Sequence, residues 1–281
     1  MKFSIGLLGL SLAIIGLFTL TIFTPTEKIN IKTSASANKT ELAIKYDPRL
    51  LPDLIPYPAK DLEIQEEDDN IYLLFTTMFY NNGRGPLELI ADPATKGIRA
   101  DIERNVLQRI YNENGTYEDK IAGTFLWHQE HLHYHYKDFV IYDLEPIKAL
   151  GATDLEGNRV KSTFCIRDVS KTDAILENTL EKAKYLICGK ELQGISVGWA
   201  DTYFNYYPDQ RLNITDLPSG TYRLSFIVNP ESILEESDST NNISSIEFRY
   251  NKNSGEVKIL DESPADLPNF EHVHIDQQFE Q

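Results

Sequence analysis

Ten consecutive residues constrain this chain more tightly than any other stretch. They read Trp127-His128-Gln129-Glu130-His131-Leu132-His133-Tyr134-His135-Tyr136 and hold four of the six histidines. Side chains alternate faces along a strand, so His131, His133 and His135 project to one side, and Leu132, Tyr134 and Tyr136 to the other. Same-face neighbours lie about 6.6 Å apart, and a modest twist lets three imidazoles converge on one ion. Left unpaired, a buried histidine trio is costly. An all-imidazole set with no nearby thiolate favours Cu(II) or Zn, and the trio alone does not choose between them. His128 is off the alternation and reads as a fourth ligand, a supporting group behind the ligands, or a packed neighbour.

The rest of the chain agrees with a strand at this position. Short apolar or alternating runs are separated by turn signals, and no long amphipathic helix dominates. Candidate strands span 71–80, 86–90, 131–143, 161–166, 221–228 and 243–250. Asn82-Gly83, Glu156-Gly157-Asn158, Pro218-Ser219-Gly220 and Asn241-Asn242 mark turns between them. Residues 171–187 read as one helix starting at Lys171-Thr172-Asp173. The expected fold is mainly β: an Ig-like β-sandwich core with long functional loops and few short helices, preceded by an N-terminal hydrophobic helix.

Four segments follow from composition. Residues 1–23 contain an uncharged run, Phe3 to Phe23, long enough to enter or span a bilayer. It reads either as a cleaved signal peptide or as a retained anchor, and both place the remainder outside the cytoplasm: secreted, periplasmic or held on the outer face of a membrane. Residues 24–46 form a polar linker, 47–250 the folded domain, and 251–281 an acidic, disordered tail. His272 and His274 in that tail read as an exposed pair. The net charge of −16 repels nucleic acid and anionic lipid and attracts cations, so a membrane contact is expected only through residues 3–23. In an exported chain the two cysteines, Cys165 and Cys188, read as a disulfide, with two buried thiols as the alternative.

The histidine run resembles the metal motif of the lysyl oxidase family, Trp-His-x-x-His-x-His-x-His. The resemblance continues in order over about 200 residues. It includes Leu51-Pro52-Asp53-Leu54, Asn82-Gly83 with Gly85-Pro86-Leu87, and Phe139 with Tyr142-Asp143-Leu144. It continues through Lys161-Ser162-Thr163-Phe164-Cys165, Cys188, Gly194-Ile195-Ser196 and Gly198-Trp199-Ala200-Asp201-Thr202-Tyr203. Two departures stand out: the animal members carry a cysteine where Glu130 sits and a histidine near Ile141.

The resemblance implies a copper enzyme whose second cofactor, lysine tyrosylquinone, is a cross-link between Lys161 and Tyr203. It implies oxidation of primary amines (peptidyl lysine, polyamine or alkylamine) to aldehyde, ammonia and hydrogen peroxide. His131, His133 and His135 are then the copper ligands. Asp201, two residues from Tyr203, is the candidate base, with a turn-capping aspartate as the alternative. Two other classes remain open at this point. One is a non-catalytic envelope module holding copper or zinc through the histidine strand; the other is a zinc hydrolase built on the same trio.

Overall fold

The computed structural model describes residues 47–95, 102–149 and 158–272. The expected N-terminal helix (1–23), the linker (24–46) and His274 lie outside them. The strands are β1 Arg49–Leu50, β2 Leu54–Pro56, β3 Lys60–Glu67, β4 Asn70–Asn81, β5 Leu87–Ala91, β6 Glu103–Asn112, β7 Tyr117–His128, β8 His133–Ala149 and β9 Asn158–Phe164. They continue as β10 Ser170–Thr172, β11 Leu192–Ile195, β12 Trp199–Tyr203, β13 Arg211–Asn213, β14 Gly220–Val228, β15 Ile243–Asn251, β16 Glu256–Ser263 and β17 Phe270–His272. Among the described residues the sole helix is a 3-10 turn at Pro93–Thr95.

The strands form two antiparallel sheets. The larger runs β11-β5-β6-β7-β8-β14-β15-β16, with β1 on β6 and β9 on β8. The smaller runs β13-β4-β12-β10-β17, with β2 and β3 on β4. Period-two burial explains why these segments are strands. Leu73, Phe75 and Phe79 of β4, Tyr222, Leu224, Phe226 and Val228 of β14, and Ile246, Phe248 and Tyr250 of β15 all turn inward. Aromatic pairs join the sheets: Phe75 meets Tyr142 and Phe79 meets Phe139, each with centroids 4.9 Å apart. Each fully buried ring contributes about 1.5–3 kcal/mol.

Two expectations are corrected. Residues 171–187 form no helix: Ser170–Thr172 is a short strand on β12 and β17, and an irregular loop follows. Ile175, Leu180, Leu186 and Ile187 are exposed, so the segment turns no apolar stripe onto a sheet. Its backbone is satisfied from outside instead. Asp168 accepts from the amides of Lys184 (2.8 Å) and Tyr185 (3.2 Å), and the Trp199 indole donates to Leu180 O at 2.9 Å.

The second correction concerns the acidic tail. Glu256–Ser263 pairs with β15, and Phe270–His272 pairs with β10. Val257 and Ile259 alternate onto the core, and the Phe270 ring packs edge-on against Tyr57 (5.2 Å) and Tyr80 (5.4 Å). A few well-spaced apolar residues are enough to anchor a strand whose other face is charged. The folded domain therefore runs past residue 250 to 272.

Candidate metal centre

The β7–β8 hairpin carries all four clustered histidines. Its register pairs His128 with His133 and Leu126 with His135 across the strands. The strand expected from residue 131 begins at His133 instead. Residues 129–132 form the connecting turn, where Leu132 takes a left-handed conformation with φ 55°. His131 therefore reaches the cluster from a turn, while His133 and His135 share one face of β8. His131 approaches His135 from the turn, and His133 approaches it from the same strand.

The imidazoles meet closely. His133 Nε2 lies 2.9 Å from His135 Nε2, and His131 Nδ1 lies 3.3 Å from the same atom. Metal–nitrogen bonds of about 2.0 Å place neighbouring ligand nitrogens about 2.8–3.3 Å apart, so these separations match edges of a coordination polyhedron. His135 Nδ1 is 3.0 Å from Thr163 Oγ1. A bond to that hydroxyl fixes the ring so that Nε2 faces the centre. His128 stacks beside His131 (4.2 Å) and His135 (4.7 Å), and its Nδ1 is buried with no hydrogen-bond partner. Ligand atoms of His128, His131 and His135 all lie within 4.8 Å of one another.

Burial, followed by the neighbouring rings, favours the neutral form of three of these rings. It pushes His133 down to about 4 and His135 down to about 2, and lowers His131 as well. Neutral imidazoles with inward lone pairs are what a borderline divalent metal requires.

The disulfide expected from the sequence is present, Cys165 to Cys188 with Cα atoms 5.4 Å apart. Its sulfurs approach the His133 ligand nitrogen within 4.8 Å. Oxidised to each other, they are not thiolate ligands. Cys165 also joins the metal cluster to Tyr203. The Tyr203 hydroxyl accepts from Cys165 N–H (2.7 Å) and donates to Cys165 O (2.8 Å), and its ring stacks on Phe164 at 3.7 Å. Tyr203 thus lies one residue from the imidazoles. Burial, with Asp201 adding to it, pushes its hydroxyl well above the ordinary tyrosine range.

Asp201 is no turn cap. It lies in β12 on the same face as Tyr203, is 1% exposed, and accepts from Arg167 N–H at 3.3 Å. Burial raises its carboxyl to about 8. Lys161 is placed elsewhere: half-exposed on β9, its amine donates to Glu231 at 2.9 Å. Tyr203 is hydrogen-bonded to Cys165 and Asp201 to Arg167, while Lys161 rests on Glu231.

Three contributors were missed by sequence reasoning. Thr163 lay inside a quoted motif without a role. Arg167, nearly buried, is a cation close enough to favour the deprotonated forms of His133, Asp201, Tyr203 and Tyr207. Asp209 sits 3.7 Å from His128 Nε2 and 3.6 Å from His131 Nε2. No local pattern marked Arg167 or Asp209, because both act through contacts made by distant parts of the chain.

Comparison with known proteins adds independent findings. A family model described as lysyl oxidase matches residues 108–259. Lysyl oxidase homolog 1 from Homo sapiens is 32% identical over 210 residues, 72% of this chain and 34% of that protein. Lysyl oxidase homolog 2B from Danio rerio is 36% identical over 141 residues, 50% of this chain and 17% of that protein. The chain thus spans about a third or less of the length of these relatives.

Proposed function

Because this chain belongs to the lysyl oxidase family, we propose that it is a copper- and quinone-dependent amine oxidase, converting primary amines to aldehyde, ammonia and hydrogen peroxide. The observation that carries this reading is the meeting of His131, His133 and His135 one residue away from the pinned hydroxyl of Tyr203. When present, copper activates oxygen, and lysine tyrosylquinone, made from Lys161 and Tyr203, supplies an electrophilic carbonyl for the amine.

The chain's own residues then have separable tasks. Cys165 holds the Tyr203 hydroxyl through both backbone groups, and Phe164 covers one ring face. Asp201 is the base: held near 8, its carboxylate is a strong enough acceptor to take a proton from the substrate carbon next to the amine. Arg167 offsets the build-up of negative charge around Tyr203 and Asp201. The net charge of −16 draws cationic amines toward the protein. The disulfide supports placement outside the cytoplasm: secreted, periplasmic or on an outer membrane face.

Lys161 must leave Glu231 before it can join Tyr203. Both partners of that ion pair are exposed to solvent, which screens their attraction, so it holds the amine only weakly. Until that move occurs, the chain is a metal-holding β-module, and the Lys161–Glu231 pair is the observation that favours this second reading. The test is intact-mass and visible-absorption analysis of protein expressed with copper in an oxidising compartment. A lysine–tyrosine cross-link with amine-dependent peroxide release, both lost in Lys161→Ala and Tyr203→Phe, supports the oxidase. Copper-loaded protein lacking cross-link and quinone absorbance leaves only the metal module.

A further inference from the structure

Ligand-bearing side chains near the histidine hairpin fall into two groups. His128, His131 and His135 make one. His133, Cys165 and Cys188 make the other, with the ring nitrogen and both sulfurs within 4.8 Å of one another. Three separate stretches of chain bring this second group together. His133 opens β8, Cys165 directly follows β9, and Cys188 comes from the irregular loop before β11. Strand β9 pairs with β8, and Thr163 of β9 contacts the His135 ring, so the strand leading into Cys165 is held against the histidine strand without help from the sulfurs. The Cys165 backbone is fixed as well, by both hydrogen bonds to the Tyr203 hydroxyl. Cys165 is 3% exposed, whereas Cys188 is half-buried between exposed Leu186 and Ile187 on one side and Lys190 on the other. An exchanging thiol therefore meets Cys188 first.

We propose that reduction of the Cys165–Cys188 bridge opens a second, soft metal site made of Cys165, Cys188 and His133, and that its ligand is Cu(I). The redox step balances without the metal. A dithiol breaks the S–S bond, gives the two sulfurs two electrons and two protons, and leaves as a disulfide. Cu(I) then displaces the two thiol protons to solvent and keeps its own charge. Thiolates are soft donors that select Cu(I), whereas imidazole suits copper more generally. The geometry fits this exchange. Metal–sulfur bonds of about 2.3 Å and metal–nitrogen bonds of about 2.0 Å set donors about 3.5–3.8 Å apart. Freed sulfurs part to that distance, and the nitrogen-to-sulfur separations shorten by about 1 Å at most. The irregular loop that carries Cys188 supplies the movement. His133 Nε2 also lies 2.9 Å from His135 Nε2. When exchange with another disulfide takes the two electrons back and closes the bridge, both sulfurs are withdrawn and the ion is left beside His135. The reduced chain thus captures Cu(I), and bridge closure passes it to the imidazoles. This route for copper entry rests on the copper reading above.

The test uses the full chain and Cu(I), supplied without oxygen as its bicinchoninate complex. Cu(I) affinity is measured by chelator competition, and sulfur ligation by X-ray absorption at the copper edge. The samples are the oxidised protein, the protein reduced with a water-soluble phosphine, and reduced Cys188→Ser and His133→Gln. The reduced protein should bind Cu(I) with two sulfur neighbours, at least about 100-fold more tightly than the oxidised protein or either variant. Losing the bridge lowers stability, so the β-sheet signal in circular dichroism is followed as well. If reduction unfolds the chain, Cu(I) should restore that signal. Equal Cu(I) affinity in oxidised and reduced protein, a copper shell without sulfur, unchanged affinity in His133→Gln, or an unfolded chain that Cu(I) does not restore overturns the proposal. Failure of the oxidised protein to bind Cu(II) overturns the copper reading instead, and the Cu(I) result then stands or falls by itself.

Discussion

A single carboxyl shows how burial sets chemistry in this protein. Asp201 is raised from its ordinary value of 3.8 to about 8 by burial, so the folded state holds a proton there that the unfolded chain gives up. The sign follows from linkage: the stability this group contributes is full below about pH 4 and is lost as pH rises through about 8. Urea midpoints measured from pH 4 to 9 should therefore fall more steeply for the unaltered protein than for Asp201→Asn, and parallel curves would refute the assignment. The same substitution should lower amine turnover by at least about 100-fold with copper content unchanged, since removing a general base costs roughly that factor. At Lys161 the expectation is different. Glu231→Gln should leave the denaturation midpoint essentially unchanged, a surface pair being worth little, yet speed the appearance of cross-linked mass after copper addition. The sequence disclosed the identities of Lys161, Tyr203 and Asp201 through motif context. It did not disclose that the lysine rests on Glu231, because that contact joins residues 70 positions apart.

The hairpin of β7 and β8 was legible as an element and misread in detail. The His-x-His-x-His spacing announced a cluster of imidazoles, and the group whose ligand atoms lie within 4.8 Å of one another is His128, His131 and His135. The turn, however, falls at residues 129–132, so His131 belongs to the bend and the cluster draws on both arms. Leu132 holds φ 55° with its side chain 65% exposed, so it bears left-handed strain with little burial in return. Leu132→Asn should raise stability by up to about 1 kcal/mol in chemical denaturation, asparagine tolerating that conformation better. Gly123 marks the opposite case on the same hairpin. At φ 79°, an added Cβ would stand 2.4 Å from the Tyr136 hydroxyl, so Gly123→Ala should cost more than about 1 kcal/mol and weaken copper binding with it. The mistaken helix at 171–187 has a comparable cause. Its Lys171-Thr172-Asp173 start reads as a helix beginning, but the backbone is satisfied in part by Asp168, a residue just outside the window.

At the scale of the whole molecule, the mainly β architecture was readable because period-two burial repeats in strand after strand. The acidic end of the domain was not, since Val257, Ile259 and Phe270 are few among charged neighbours. The net charge of −16 makes encounter with cationic substrates sensitive to salt. For a diamine, kcat/KM should fall several-fold between about 10 mM and 150 mM ionic strength, largely through the association rate; a flat profile would remove any steering role for the acidity. The smaller sheet runs β4, β12, β10, β17, so the strand carrying Tyr203 is two places from the last described strand. A ribosome delivers the chain from its amino end. The two arms of the histidine hairpin are neighbours in sequence, whereas the smaller sheet that carries the aromatic ring takes its border strand from residues 270–272, the last of the described residues to be made.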